Sequence, residues 1–412
     1  MMIRYHRLSL AVALASAAVS GQALAGAFQL QEQSVSGQGT SWAGRASNVQ
    51  DATIVFGNPA GMSFLDRAQL TGGVHYIDAS SNIDNVDATT PLDPSVSGDS
   101  GDDMIPHKAV PFGYYVQPIN ERWTFGLGVY APFGLVTDYG SDSVERYVGS
   151  YSKVEVITTQ PTISYRFNDK FSVGVGITYN RIKGKLEKSV PLAPGIDGQG
   201  TVDGDDEAWG YNIGMMYRPV ETTSLGLTYR SKVDYSLDGD FDLTTPVTPP
   251  MSSDASLDIT LPETVDFSLT QDLSDRWKVM VAATFIRWSR FGDITVDNDI
   301  ATQTEEQDYD DAWQYSLGTS YQLNRQWLVR AGIAYDESPI QSRNARVPSG
   351  DRMIYSLGAG WTPITDLTID VAYSYITESD SDVDQVDETG NTFSADYDNK
   401  LNLFGLQATY RF

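Results

Sequence analysis

The chain has 412 residues, no cysteine, and 54 acidic against 28 basic side chains, for a formal charge of −26. Such an acidic balance excludes a surface built to hold nucleic acid, and no residue pattern calls for a metal or a cofactor. A mean hydropathy below zero would suit a soluble protein, yet 36 Gly, 23 Tyr and 8 Trp point to β-structure rich in aromatic residues.

Residues 1–25 read as a signal peptide. Arg4 and Arg7 form a basic start, Leu8 to Val19 is a short apolar run, and Ala23-Leu24-Ala25 fits the small-residue cleavage pattern. The run is shorter than the roughly 20 residues a spanning helix needs. Export is therefore expected, with Gly26 as the first mature residue.

Residues 26–67 lack two-residue alternation and are rich in Gly, Ser and Ala. Short helical turns are expected there, one of them starting at Asn58-Pro59, with Asn as cap and Pro in the first helical position. Phe28, Leu30, Trp42, Ile54, Phe56 and Met62 argue that the segment is buried rather than a loose tail.

From residue 68 onward apolar and polar residues alternate in segment after segment. In "WGYNIGMMYR", Trp209, Tyr211, Ile213, Met215 and Tyr217 share one face, and Gly210, Asn212 and Gly214 the other. Fourteen strands are predicted, at about 68–78, 107–118, 122–137, 151–167, 170–186, 206–218, 222–236, 257–271, 275–291, 309–322, 325–336, 351–362, 365–377 and 399–412. Short turns such as "PINER" and "LSDR" alternate with long acidic links such as 187–205 and 378–398. Apolar faces capped by Trp or Tyr at both ends suit the interfacial girdles of a membrane barrel, and a glycine- and serine-rich opposite face suits a lumen. The expected fold is all-β: a transmembrane 14-stranded antiparallel β-barrel over 68–412, with 26–67 as a helical hatch plugging the lumen and the short turns on the periplasmic side.

One strand contradicts its own pattern. "WTFGLGVYAPFGL" alternates from Trp123 to Val129 and then meets Pro132 and Gly134. Proline removes a ladder donor, and in hydrocarbon an unpaired backbone group costs several kcal/mol. Pro111 and Pro161 fall in the two flanking strands, so a local weakness of the wall is expected there. Pro262 marks a further strand that holds a proline.

Phe28-Gln29-Leu30, "SGQGTSWAG", "NPAGM" at 58–62, "TYRSKVDYSLDGDF" at 228–241, "WSRF" at 288–291, "PSGDRMIYSLGAGW" at 348–361 and the terminal Phe412 resemble the FadL family of outer-membrane long-chain fatty-acid and hydrophobic-compound transporters. The resemblance covers essentially the whole chain after residue 25 and is weakest in the outer loops. It implies passive uptake of hydrophobic molecules, with a site beside the hatch and lateral release into the bilayer. By it, Phe28 matches a ligand-contacting residue, Asn58-Pro59-Ala60 the hatch motif, and Pro132-Phe133-Gly134 the wall kink.

For a carboxylate head group, Lys188 is the nearest basic match on the lumen side, although an ungapped pairing puts Leu186 there. By parity Arg181, Lys183 and Lys185 face outward, toward lipopolysaccharide phosphates, whereas Arg230, Lys232, Arg330, Arg352 and Arg411 face the lumen. Arg230 joins Phe28 and Lys188 as a candidate ligand contact. The family's second basic contact has no counterpart in the acidic stretch 301–311, which leaves neutral aromatic hydrocarbons as an alternative cargo and a general-diffusion porin as a further one. With only His75 and His107 after residue 25, and no nucleophile beside either, no enzyme is expected. The expected partners are a hydrophobic ligand, outer-membrane lipid and lipopolysaccharide, and the expected state is a monomer.

Overall fold

The computed structural model describes residues 27–99, 103–193, 195–298 and 302–412. The expected signal peptide and its cleavage site lie outside them. Among the described residues the strands are β1 (Gln69–Thr89), β2 (Lys108–Pro118), β3 (Trp123–Asp138), β4 (Tyr151–Arg166), β5 (Phe171–Ala193), β6 (Ile196–Val220), β7 (Thr223–Arg230), β8 (Val233–Thr244), β9 (Met251–Leu261) and β10 (Thr264–Asp272). They continue with β11 (Trp277–Ile286), β12 (Ile294–Asn298), β13 (Thr302–Glu305), β14 (Ala312–Gln322), β15 (Trp327–Asp336), β16 (Arg352–Ile364), β17 (Leu367–Glu378), β18 (Ser381–Val386) and β19 (Thr392–Arg411).

All of them join one antiparallel sheet, which closes where β1 meets β19, from Gln69↔Arg411 to Thr89↔Thr392. β7 with β8, and β9 with β10, each make a single stave. β12, β13 and β18 are additions outside the staves, paired with β9, β12 and β19 respectively. The described residues thus form a fourteen-stave barrel. Parity decides the faces: Trp209, Tyr211, Ile213, Met215 and Tyr217 are exposed on the outside of β6, and Asn212, Gly214 and Met216 are buried within. No helix among the described residues is long and apolar enough to cross a membrane.

Three expectations need correction. The acidic links are largely strand: β5 and β6 pair from Phe171↔Tyr217 up to Ala193↔Ile196, and β19 begins at Thr392 rather than 399. Above the membrane no face meets lipid, so the hairpin needs no apolar outer face to persist, and the two-residue alternation fades. The strand expected over 275–291 stops at Ile286, because Trp288–Arg290 forms a 3₁₀ turn that carries Trp288 into full burial. Finally, Lys232 does not face the lumen. It lies in the break between β7 and β8, half-exposed beside Asp234, and parity does not survive a break.

The N-terminal segment sits against the inner faces of many staves. Ser41 bonds Ser356 on β16 at 2.8 Å, Ala46 N donates to Ser268 on β10 at 2.9 Å, and Ser172 on β5 donates to Ala60 O at 2.8 Å. Gln38 donates to Leu403 O on β19 at 2.9 Å. The approach is so close that a Cβ on Gly226 would collide with Ala46 O, and one on Gly332 with the backbone of Thr40. Asn58 caps the 3₁₀ turn Pro59–Phe64 by accepting from Ala60 N at 3.0 Å, and its amide donates to Ala46 O and Met215 O.

Candidate functional site

β3 keeps both neighbours only as far as Val129. It pairs with β2 from Pro118↔Thr124 to Gly113↔Val129, and with β4 from Trp123↔Tyr165 to Tyr130↔Thr158. Beyond that, β2 continues along β1 to Lys108 without meeting β3. On the other flank Ala131 and Pro132 stand opposite the single residue Ile157, a bulge that bends the strand. Every residue from Tyr130 to Thr137 is buried, in contrast with the alternation before it. The second half of β3 stays paired with β4, from Phe133↔Val156 to Asp138↔Tyr151, but it has parted from β2 and buried both of its faces. Pro161 acts on a different seam, since the β4–β5 register skips from Thr159↔Tyr179 to Thr162↔Gly176.

The edge freed in this way is occupied by the start of the N-terminal segment. Leu30 N donates to Pro132 O at 2.8 Å, Gly134 N to Phe28 O at 3.0 Å, and the Gln33 amide to Ala131 O at 2.5 Å. Groups that would otherwise stand unpaired, at several kcal/mol each in a water-free wall, are thereby satisfied.

Pairing at this edge places Phe28, 2% exposed, among aromatic rings. Its centroid lies 6.1 Å from Phe133, 5.0 Å from Trp288 and 5.1 Å from Phe291, all edge-to-face. Such contacts are worth about 0.5–1.5 kcal/mol each beyond their burial. Tyr309 completes the cluster, 5.0 Å from Phe291.

Phe28 and Phe291 also line an apolar cavity of about 820 Å³, together with Leu135, Val154, Ile182 and Leu237. A wider outer groove of about 1660 Å³ shares Leu186, Val202, Ile294, Glu305 and Arg346 with it. The two hollows therefore abut, one open to the outer loops and one ending at Phe28.

Four of the residues singled out in the sequence come together here: Phe28, Pro132, Phe133 and Gly134. The others lie apart. Lys188 lines the outer groove, with its ammonium 3.8 Å from Asp387. Arg230 borders a small chamber that Pro132 and Phe133 also line, away from Phe28, and is held by Tyr130 Oη at 2.6 Å, Phe56 O at 3.0 Å and Gln160 at 3.2 Å. Asn58, Pro59 and Ala60 anchor the N-terminal segment against β5 and β6. Arg330 and Arg352 are committed to buried ion pairs with Asp370 and Glu378, at 2.8 and 2.7 Å.

Three participants escape sequence reading. Arg346 borders both hollows and is paired with Glu305 at 3.1 Å; it belongs to the link between β15 and β16, where alternation has no meaning. Tyr309 and Trp288 are buried with hydroxyl and indole N–H unpartnered. Burial pushes the Tyr309 hydroxyl well above its ordinary range, so it stays a neutral donor at the cavity wall. Nothing in a linear pattern marks a donor whose partner is missing.

Comparison with known proteins agrees with this geometry. The family model of the outer membrane protein transport proteins (OMPP1/FadL/TodX) matches residues 16–412. The chain is 28% identical to the long-chain fatty acid transport protein of Escherichia coli O6:H1 over 98% of both chains, and 29% identical to outer membrane protein P1 of Haemophilus influenzae over 100% of both. Its fold matches the crystal structure of a Pseudomonas aeruginosa FadL homologue with a TM-score of 0.87 at 26% identity, covering 94% of this chain and 100% of that one. With the match running over residues 16–412 and a fourteen-stave barrel that overlays a solved homologue, the chain belongs to the OMPP1/FadL/TodX family of outer-membrane transport proteins.

Proposed function

We propose that this protein takes up long-chain fatty acids passively through the outer membrane. The ligand settles first in the outer groove near Lys188, then moves into the apolar cavity against Phe28. It leaves sideways where β2 and β3 part, with residues 26–67 acting as a hatch that keeps the bore closed to water and ions. A single barrel with its own plug needs no second copy, so it works as a monomer. Its outward Arg181, Lys183 and Lys185 meet lipopolysaccharide phosphates.

The observation that carries this reading is the freed edge of β3, covered at its kink by Phe28–Leu30 and Gln33. A clasp of a few backbone bonds can be released without dismantling the wall. An acyl chain gains about 0.8 kcal/mol per CH₂ on leaving water, so passage straight from cavity to lipid retains what release into the periplasm would forfeit. Mass spectrometry of small molecules co-purifying with the barrel tests the cargo: fatty acids are expected, and recovery of polar solutes alone would overturn the reading.

One observation favours neutral aromatic hydrocarbons as the second reading. Arg346 is paired with Glu305, Lys188 lies near Asp387, and Arg230 is held by three acceptors. The unpartnered donors at the inner cavity are neutral. Lys188→Ala separates the two cargoes. For an acid cargo it should weaken binding of oleate a few-fold relative to methyl oleate, as a half-exposed ion contact is worth about 1 kcal/mol or less; equal affinities before and after would favour the neutral ligand.

A further inference from the structure

The wall has a second place where a stave loses its neighbour. β6 pairs with β8 from Gln199↔Thr244 to Asp205↔Asp238, and with β7 from Asn212↔Arg230 onward. Between these, residues 206–211 and 231–237 face each other with one backbone bond, Ser231 N to Tyr211 O at 2.9 Å, in place of a ladder. Side chains substitute for it: Tyr211 N donates to Ser231 Oγ at 2.9 Å and Ser236 N to the Asp206 carboxylate at 2.8 Å. The next seam is interrupted at the same level. β9 ends at Leu261 and β10 begins at Thr264, and Pro262 between them has no amide hydrogen to give.

Two hollows meet at this gap. Inside is a narrow chamber bounded by Pro132, Phe133, Arg230, Ser231, Val233 and Tyr235, into which the residues of the β3 kink also face. The Tyr235 hydroxyl, buried, has no partner. Outside is a hollow of about 720 Å³ lined by Ala208, Trp209, Tyr229, Lys232, Arg290 and again Ser231. Ser231 belongs to both walls.

The height of the outer hollow follows from β6. Its outward residues are apolar or aromatic from Tyr217 up to Trp209 and acidic above, at Glu207, Asp205 and Asp203. The hollow therefore sits where hydrocarbon gives way to head groups. Its charge is unlike the rest of the chain. Lys232 meets Asp234 at 2.7 Å, while Arg290 and Arg287 both reach Glu263, at 3.3 and 3.2 Å. Lys232 and Arg290 line the hollow against Asp234 and Glu263, a balanced set in a protein with 54 acidic and 28 basic side chains, and Arg287 joins Glu263 from beside it.

We infer that this gap is a side portal for anionic amphiphiles already dissolved in the outer leaflet. The carboxylate rests against Lys232 and Arg290, the acyl tail passes over Ser231 as a sill, and the tail enters the chamber beside Pro132 and Phe133. The portal rests on the transport reading above and is an opening separate from the one at β3. It is closed in this structure by the small side chains of Ala208, Ser231 and Val233 and by two hydrogen bonds between Ser231 and Tyr211, which must be released for it to open.

The test staples the sill. A Cβ on Gly210 would lie 3.0 Å from Ser231 Oγ, so Gly210→Cys with Ser231→Cys can form a disulfide in a chain that has no cysteine of its own. Cells with this protein as their sole fatty-acid transporter, at matched surface levels, receive oleate either on albumin in water or preloaded into the outer leaflet. The oxidised pair should lose uptake of preloaded oleate and keep that of albumin-borne oleate, and a reductant should restore the loss. Ser231→Trp gives the same comparison without oxidation. Preloaded uptake unaffected by both closures overturns the portal, as does equal loss by both routes, which would make the gap part of the main path. If the unaltered protein takes up oleate by neither route, the transport reading fails and the portal with it. Lys232→Gln with Arg290→Gln should slow preloaded oleate but not methyl oleate; equal slowing of both overturns the head-group assignment.

Discussion

The wall around β15 and the wall around β3 are written in the same alternation and behave in opposite ways. β15 pairs without interruption on both flanks, from Gln314↔Asp336 to Gln322↔Leu328 on one and from Trp327↔Trp361 to Asp336↔Arg352 on the other. β3 parts from β2 after Val129, bulges against β4, and buries both faces thereafter. Glycine does not make the difference, since Gly318 and Gly332 sit in the intact wall. What separates them is a proline where a donor was needed and a second segment at hand to take the freed edge. In hydrocarbon, closure depends on paired donors more than on apolar side chains.

The comparison can be broken from either side. The largest effect is expected from a proline placed in the sound region. Ala331 pairs with both Thr319 and Leu357, so Ala331→Pro removes a donor that nothing else can replace, at about 3 kcal/mol or more. It should abolish heat-resistant, folded barrel in the outer-membrane fraction, and normal folded yield would show that donors matter less than argued. Deleting Pro132 is the converse experiment. It removes the extra residue opposite Ile157, should realign β3 with β4, and should strip oleate uptake while surface expression holds. Retained uptake would count against release at β3.

A smaller effect concerns the plug. Gly226→Val collides with the backbone at Ala46 and should displace that part of the N-terminal segment, raising single-channel conductance in planar bilayers above the near-silent unaltered protein. A barrel equally silent after the change would show that this seat is dispensable.

The smallest is a pH effect. Burial lifts Glu32 from an ordinary 4.5 to about 7, partly countered by Arg352 on β16 and Arg45 on its own segment. The docked segment thus holds a proton that the undocked one releases. Docking is fully favoured below about 4.5 and weakens as pH rises through 7. Intrinsic-rate-corrected amide exchange at Phe28–Gln33 should quicken between pH 5 and 8, and Glu32→Gln should flatten that rise; the same slope in the variant would assign the effect elsewhere.

The barrel was legible because lipid on one side and lumen on the other impose a period of two, and the aromatic caps show where each stave leaves hydrocarbon. Pro132 and Gly134 could be read as a fault for the same reason: a strict pattern makes its violations visible. Legibility ended where that constraint ended. Above Trp209 no face meets lipid, so the β5–β6 hairpin loses the apolar outer face that marks a stave. Across the break at 231–232 parity was carried too far, and Lys232 was placed on the wrong side. Arg346 lies in a link, and the unpartnered Tyr309 and Trp288 became visible only once neighbouring elements were packed around them.

The buried half of β3 has one more consequence. From Tyr130 to Thr137 the chain no longer touches lipid, so its side chains answer to packing alone and not to the demands of membrane insertion. Substitutions there can reshape the throat of the proposed passage while assembly machinery handles an unchanged exterior. Ligand preference in this protein can thus be retuned, by selection or in the laboratory, along eight contiguous residues that the bilayer never inspects.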